Sequence, residues 1–126
     1  MTGFTTVTKN VIKDRDGGQC VRCGTTVLIW NGTTWQALAR YEHHHRRPRA
    51  MGGSSDPVTN APVNGLLLCA DCHAHVESNR AEAYDDGYLV HQGIDPGAIP
   101  VLHHQHGLTY LTNEGYTPSP VKETTP

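Results

Sequence analysis

Two cysteine pairs constrain this chain more than any other feature: Cys20-x-x-Cys23 and Cys69-x-x-Cys72. A C-x-x-C turn aims two sulfurs at one point, and two such turns complete a tetrahedral site, so the four thiols read as ligands of a structural Zn2+. Whatever else the chain does, it must bring these distant turns together. The other use of four cysteines is two disulfides. No charged-then-apolar leader opens the sequence and no apolar run is long enough to span a membrane, so a reducing compartment, and hence zinc, is expected. The staple matters because 126 residues with 37% hydrophobic and 6% aromatic content give only a modest core.

Local patterns supply the elements. Residues 7–16 predict a short helix, with Thr6 or Thr8 as its cap and Gly17-Gly18 as its stop. Residues 27–30 and 33–41 carry strand-forming side chains around Asn31-Gly32, which predicts a hairpin. Asn31-Gly32-Thr33 has the form of a glycosylation acceptor but reads simply as that turn. The second strand, or one directly after it, runs into His43-His44-His45. Residues 48–62 are rich in Gly, Ser, Pro and Asn and predict an ordered but irregular functional loop. A short buried strand follows at 66–68, then a helix over 70–83. Residues 88–90, 101–103 and 108–111 predict further short strands. Together these give an α+β fold: a β-β-α core over about residues 17–83, inside a single domain of residues 1–116, with a flexible tail at 117–126.

The histidines left over by the thiol site carry the chemistry. Phosphodiester hydrolysis needs a base to activate water and a cation to neutralise charge on phosphate and leaving group. Histidine suits both the base and the ligand role, as an imidazole titrating near neutrality. On an extended strand His44 and His45 point to opposite faces, unless a bend at the strand end aims both into one cleft. Three adjacent histidines alone are more often a surface run; the surrounding pattern argues against that here. His73 opens the predicted helix and Glu77 lies one turn on, on the same face, where the two can hold one divalent ion. Glu77 could equally be an exposed charge paired with Arg80. His75 lies on another face and is expected to meet solvent or phosphate. Asn64 can hydrogen-bond across the loop and hold the histidine strand in register. Arg46, Arg47 and Arg49 are placed to grip phosphate oxygens, as DNA-binding side chains. His91, His103, His104 and His106 have no thiol or carboxylate motif beside them and are expected at the surface or in a hairpin. Trp30 and Trp35 read as core.

The run His44-His45-Arg46-Arg47-Pro48-Arg49-Ala50-Met51-Gly52-Gly53, then Asn64, then Cys69-Ala-Asp-Cys72-His73, resembles the HNH endonuclease signature. In that family a His or Asp precedes the catalytic His, Pro follows three places later and Gly-Gly begins seven places on. An Asn lies five residues before the second zinc knuckle, whose last Cys is followed by the final His. The likeness covers Cys20 to about Arg80, and is closest to small stand-alone proteins of bacteria and phages. It implies a ββα-metal fold and one catalytic divalent ion (Mg2+, Mn2+, Ni2+ or Zn2+). His45 would be the general base, with His44 and His73 as metal ligands and Asn64 positioning the loop. Colicin-type relatives have a further His where this chain has Glu77, so the third ligand is Glu77 or water. The histidine at 44, where many relatives carry Asp, is expected to broaden metal choice toward transition ions.

By the same resemblance the substrate is double-stranded DNA, cut to leave 5′-phosphate and 3′-hydroxyl ends. The implied setting is the cytoplasm of a bacterial or phage-infected cell, with phage packaging machinery as a partner and no membrane. A net charge of −2 fits a modest, salt-sensitive grip through Arg40 and the arginines near the histidines, away from Asp85, Asp86 and Asp95. The alternative is a zinc-ribbon module that binds nucleic acid or protein and cuts nothing.

Overall fold

A computed structural model describes residues 3–48, 56–112 and 115–118. Arg49 and the Gly52-Gly53 pair, and with them the first part of the predicted loop, lie outside the described residues. The fold is α+β, with three helices and three small antiparallel sheets among the described residues.

Helix α1, Thr6–Asp16, is capped one residue earlier than its sequence suggests: the Thr5 hydroxyl accepts from the Thr8 amide. Gly17 ends it in the left-handed conformation, which glycine adopts without steric cost. Strands β1, Leu28–Trp30, and β2, Trp35–Ala37, form the predicted hairpin. Its turn is held by the Asn31 side chain, whose amide oxygen accepts from the Thr33 and Thr34 amides. Trp30 is not core: it is 54% exposed, on the two-stranded β1–β2 sheet. Trp35 is half-buried and donates its indole N–H to Asp14.

Strand β3, Tyr41–His45, is a separate strand that pairs with β4, Gly65–Cys69. Tyr41 lies opposite Cys69, His44 opposite Leu66 and His45 opposite Gly65. Leu66 and Leu68 enter one hydrophobic cluster with Val21, Val76, Tyr88, Leu89 and Val101, whereas Leu67 enters a second with Phe4, Ile12, Val27 and Leu28. That alternation is the strand period of two, and it explains why β4 is apolar throughout: both of its faces are buried. Gly65 opens β4, where a β-carbon would push on the tip of the Ile12 side chain and on Phe4.

Helix α2, Ala70–Ser78, follows β4 directly, with Cys69 at its cap position. The single helix expected over 70–83 is broken at Asn79, whose side-chain amide donates to the His75 carbonyl and lets the backbone leave helical geometry. Helix α3, Arg80–Asp86, resumes beyond it and ends at Gly87. Residues 88–90 are buried but form no strand. Their polar groups are used elsewhere: the Tyr88 and Leu89 amides donate to the Ala83 carbonyl, and the Val90 amide donates to the Arg46 carbonyl. Strands β5, Val101–His103, β6, Gly107–Leu111, and β7, Tyr116–Pro118, make the last sheet. Thr117 and Pro118 therefore belong to a strand rather than to the expected tail; residues 119–126 lie outside the described residues. No helix among the described residues is long and apolar enough to cross a membrane.

Candidate functional site

The fold gathers the four cysteines: one sulfur from each of Cys20, Cys23, Cys69 and Cys72 lies within 4.8 Å of the others. The first knuckle is tied to β4 by the Val21 amide donating to the Leu67 carbonyl, and to the β5–β6 turn by the His104 amide donating to the Val21 carbonyl. The second knuckle is the β4–α2 junction. A tetrahedron with metal–sulfur bonds of about 2.3 Å has an edge of about 3.8 Å, and Cys23 Sγ and Cys69 Sγ are 3.8 Å apart. The four thiols are all free, with Cys20 and Cys72 buried. Burial pushes both of those thiols up from their ordinary pKa. A bound cation reverses that penalty, so the donor set fits a metal ion in both spacing and chemistry.

A second group forms where β3 meets α2. His44, His73 and Glu77 each offer a ligand atom within 4.8 Å of the others. His73 and Glu77 stand one helical turn apart on α2, and the His44 and His73 rings are 5.4 Å apart, edge to face. His44 is 3% exposed, and its Nε2 lies 2.7 Å from the Tyr88 carbonyl. A carbonyl only accepts, so Nε2 carries the hydrogen and Nδ1 presents the lone pair; this is how ligating histidines are usually oriented. Desolvation, opposed by the Tyr88 hydrogen bond, lowers the His44 pKa to about 4, which keeps the ring in the neutral form a metal needs. Glu77 is exposed and pairs with Arg80 at 2.9 Å, the surface use read from its sequence.

His45 occupies the other face of β3, as strand alternation requires. Its ring stacks on Phe4, with centroids 3.9 Å apart and planes 7° from parallel, and its Nε2 lies 2.8 Å from the Asn60 amide oxygen. His43 packs edge to face on Tyr41. Burial, reinforced by Lys13 and Lys9, lowers its pKa to about 4.

Asn64 is fully buried and holds the loop as expected. Its amide oxygen accepts from the Arg47 amide, while its NH2 donates to the Arg47 and Thr59 carbonyls. The chain on either side of the loop is thereby tied across 17 residues.

Arg46 and Arg47 are not phosphate contacts, and this corrects their expected role. Arg46 is fully buried, with its guanidinium donating to the carbonyls of Gly87, Val63, Pro96 and Ile99. Burial, together with Arg15, lowers its pKa to about 9, so it stays charged at neutral pH. Arg47 donates to the Ile94 carbonyl and pairs with Asp56 at 2.7 Å. Charged donors ringed by carbonyls join β3 to the segments after α3, a use of arginine that local sequence does not reveal. Arg46→Met is expected to destabilise the protein by at least about 3 kcal/mol, since each buried carbonyl left unpaired costs about 1–3 kcal/mol. Urea unfolding reads this directly; unchanged stability would contradict the structural role.

The outer histidines are mostly local. His75 pairs with Glu82, and His91 stacks on Tyr84. His103 lies in the β5–β6 hairpin, one of the two places expected, and is buried there, with Nδ1 accepting from the Gln105 and His106 amides to shape the turn. Three contributors to the site had no motif to announce them: Phe4, Asn60 and the Tyr88 carbonyl. The sequence matches no known family model and no curated protein.

Proposed function

We propose that the protein is a metal-dependent DNA endonuclease of HNH type, built on a ββα-metal core formed by β3, β4 and α2 and stapled by zinc on Cys20, Cys23, Cys69 and Cys72. The observation that carries this reading is the His44, His73 and Glu77 cluster beside His45 at the end of β3. Two donor sets of different character, four thiols and a His/His/carboxylate group, are what a structural ion and an exchangeable catalytic ion require.

A divalent ion held by His44, His73 and Glu77 would supply positive charge to a phosphate oxygen and to the departing 3′ oxygen. Tyr88 holds the His44 ring in the neutral tautomer. His45 takes a proton from water, the water oxygen attacks phosphorus in line, and the P–O3′ bond breaks, the departing 3′ oxygen taking a proton from solvent water. A 5′-phosphate and a 3′-hydroxyl result. His45 is the last residue of β3; on this reading a phosphate bound at the strand end would meet the ligands from one face and the base from the other. Asn64 keeps that strand end from moving relative to the loop.

The burial of Arg46 and Arg47 supports a second reading, a zinc-ribbon module that binds without cutting, because it removes two expected phosphate contacts. One experiment separates the two. Zinc-loaded protein is incubated with plasmid DNA under EDTA or with added Mg2+, Mn2+ or Ni2+, and its metal content is measured alongside. Nicking or linearisation with an added ion, together with loss of that ion in His73→Ala, is the expected result. A folded, zinc-loaded chain that takes up no second ion and cuts nothing would favour the binding module.

A further inference from the structure

We propose that the recess between α1 and the β1–β2 hairpin is a contact for unpaired DNA, with Trp30 stacking on a base and Lys9 and Lys13 meeting the flanking phosphates. The inference deepens the nuclease reading, since it supplies a grip on DNA in place of the buried Arg46 and Arg47. Trp30 and Trp35 lie opposite each other on the hairpin, and Leu28 shares their side of the sheet. Leu28 is buried in the core, whereas Trp30, two residues nearer the turn, overhangs it with more than half its surface in water. The two indoles meet edge to face with centroids 5.7 Å apart, and the Trp35 N–H is fixed on Asp14. The aromatic pair is therefore held in place before anything binds.

Together with Asn10, Asp14, Thr33 and Thr34, the indoles line a recess of about 210 Å3. Drug-sized ligands fill about 300–1,000 Å3, so this recess suits a single ring system. An aromatic wall ringed by a carboxylate, an amide and hydroxyls matches a nucleobase, which has a π face and a polar edge. The charge on α1 points to a base that belongs to a nucleic-acid strand. Asn10 and Asp14 stand one helical turn apart, and Lys9 and Lys13 form the neighbouring row. Both lysines lie beside His43 on β3, and neither has an ion-pair partner among the described residues. Like charges at that spacing weaken a helix, and a phosphate between them relieves the repulsion. Helix α1 thus borders both the recess and the histidine strand.

The test uses the zinc-loaded full chain without added divalent ion, titrated with a labelled single-stranded oligonucleotide and with its duplex. The expected result is quenching of tryptophan fluorescence by the single strand. Its affinity, read by anisotropy, should fall about five- to a hundredfold in Trp30→Ala, the usual worth of one stacked base, and largely recover in Trp30→Phe. Lys9→Gln with Lys13→Gln should lower the slope of log affinity against log salt by about 0.7 for each lysine. Absence of quenching, unchanged affinity in Trp30→Ala, or an equal loss toward duplex would overturn the proposal, as would quenching by a neutral oligosaccharide in place of DNA. Should Trp30→Ala not fold, the quenching of the parent and the salt slope of the lysine variant decide it. Plasmid cleavage with added ions is measured alongside. A chain that cuts while its tryptophans stay silent keeps the nuclease reading and loses this surface; one that binds through Trp30 and cuts with no added ion keeps the surface and loses the nuclease.

Discussion

His45→Ala is expected to lower metal-dependent DNA cleavage by about two to four orders of magnitude, the usual contribution of a positioned general base. Its fold and metal content should be unchanged. The side chain is partly exposed, stacks on Phe4 and faces Asn60. The strand itself is held by its pairing with β4, so the stability cost should stay near the 1 kcal/mol typical of point substitutions. His44→Ala should fail differently. It removes a buried ring that faces His73 and leaves the Tyr88 carbonyl without its donor, so both ion affinity and stability drop. Single-turnover rates, circular dichroism and metal analysis of the two variants separate base from ligand. Undiminished cleavage by His45→Ala would remove it from the mechanism.

Stripping the thiol site should have the largest structural effect. Zinc on paired thiolates contributes about 10–16 kcal/mol in small zinc domains at neutral pH, as much as the roughly 5–15 kcal/mol that holds a typical domain together. Cys20 and Cys72 are buried in the larger hydrophobic cluster, so loss of the ion leaves thiols at the centre of the core with no cation to hold the knuckles together. Cys72→Ser, or a chelator strong enough to take zinc from four thiolates, is therefore expected to unfold the β3–β4–α2 unit. Removing the ion at His44, His73 and Glu77 with a weaker chelator should inactivate without unfolding. Thermal unfolding followed with metal release distinguishes these cases; a zinc-free chain melting at the parent temperature would show that the knuckles are no staple.

Much of the site was legible in the chain because its donors come in local units. A C-x-x-C turn and a His/Glu pair one helical turn apart are short-range geometries; the register of β3 on β4 places His44, and the Val21–Leu67 hydrogen bond docks the first knuckle on β4. Element positions were legible for the same reason. Asn79 was the exception within the predicted helix, since a side chain that bonds its own backbone defeats apolar periodicity. Residues 88–90 looked like a strand by composition, yet their backbone groups answer to Ala83 and Arg46.

What the sequence by itself determined is the donor inventory: two thiol pairs, His44, His73 and Glu77, and Asn64 as the clamp of the loop. Tertiary structure alone decided what the arginines do and which oxygens His44 and His45 face. Arg46 reaches carbonyls as far as 53 positions away, His44 finds Tyr88 at 44 and His45 finds Asn60 at 15. A charged side chain in a polar run looks solvated until the fold surrounds it with acceptors, and an imidazole has no fixed tautomer until a specific oxygen faces one of its nitrogens. Those partners are assembled by packing between distant segments, which no local spacing encodes.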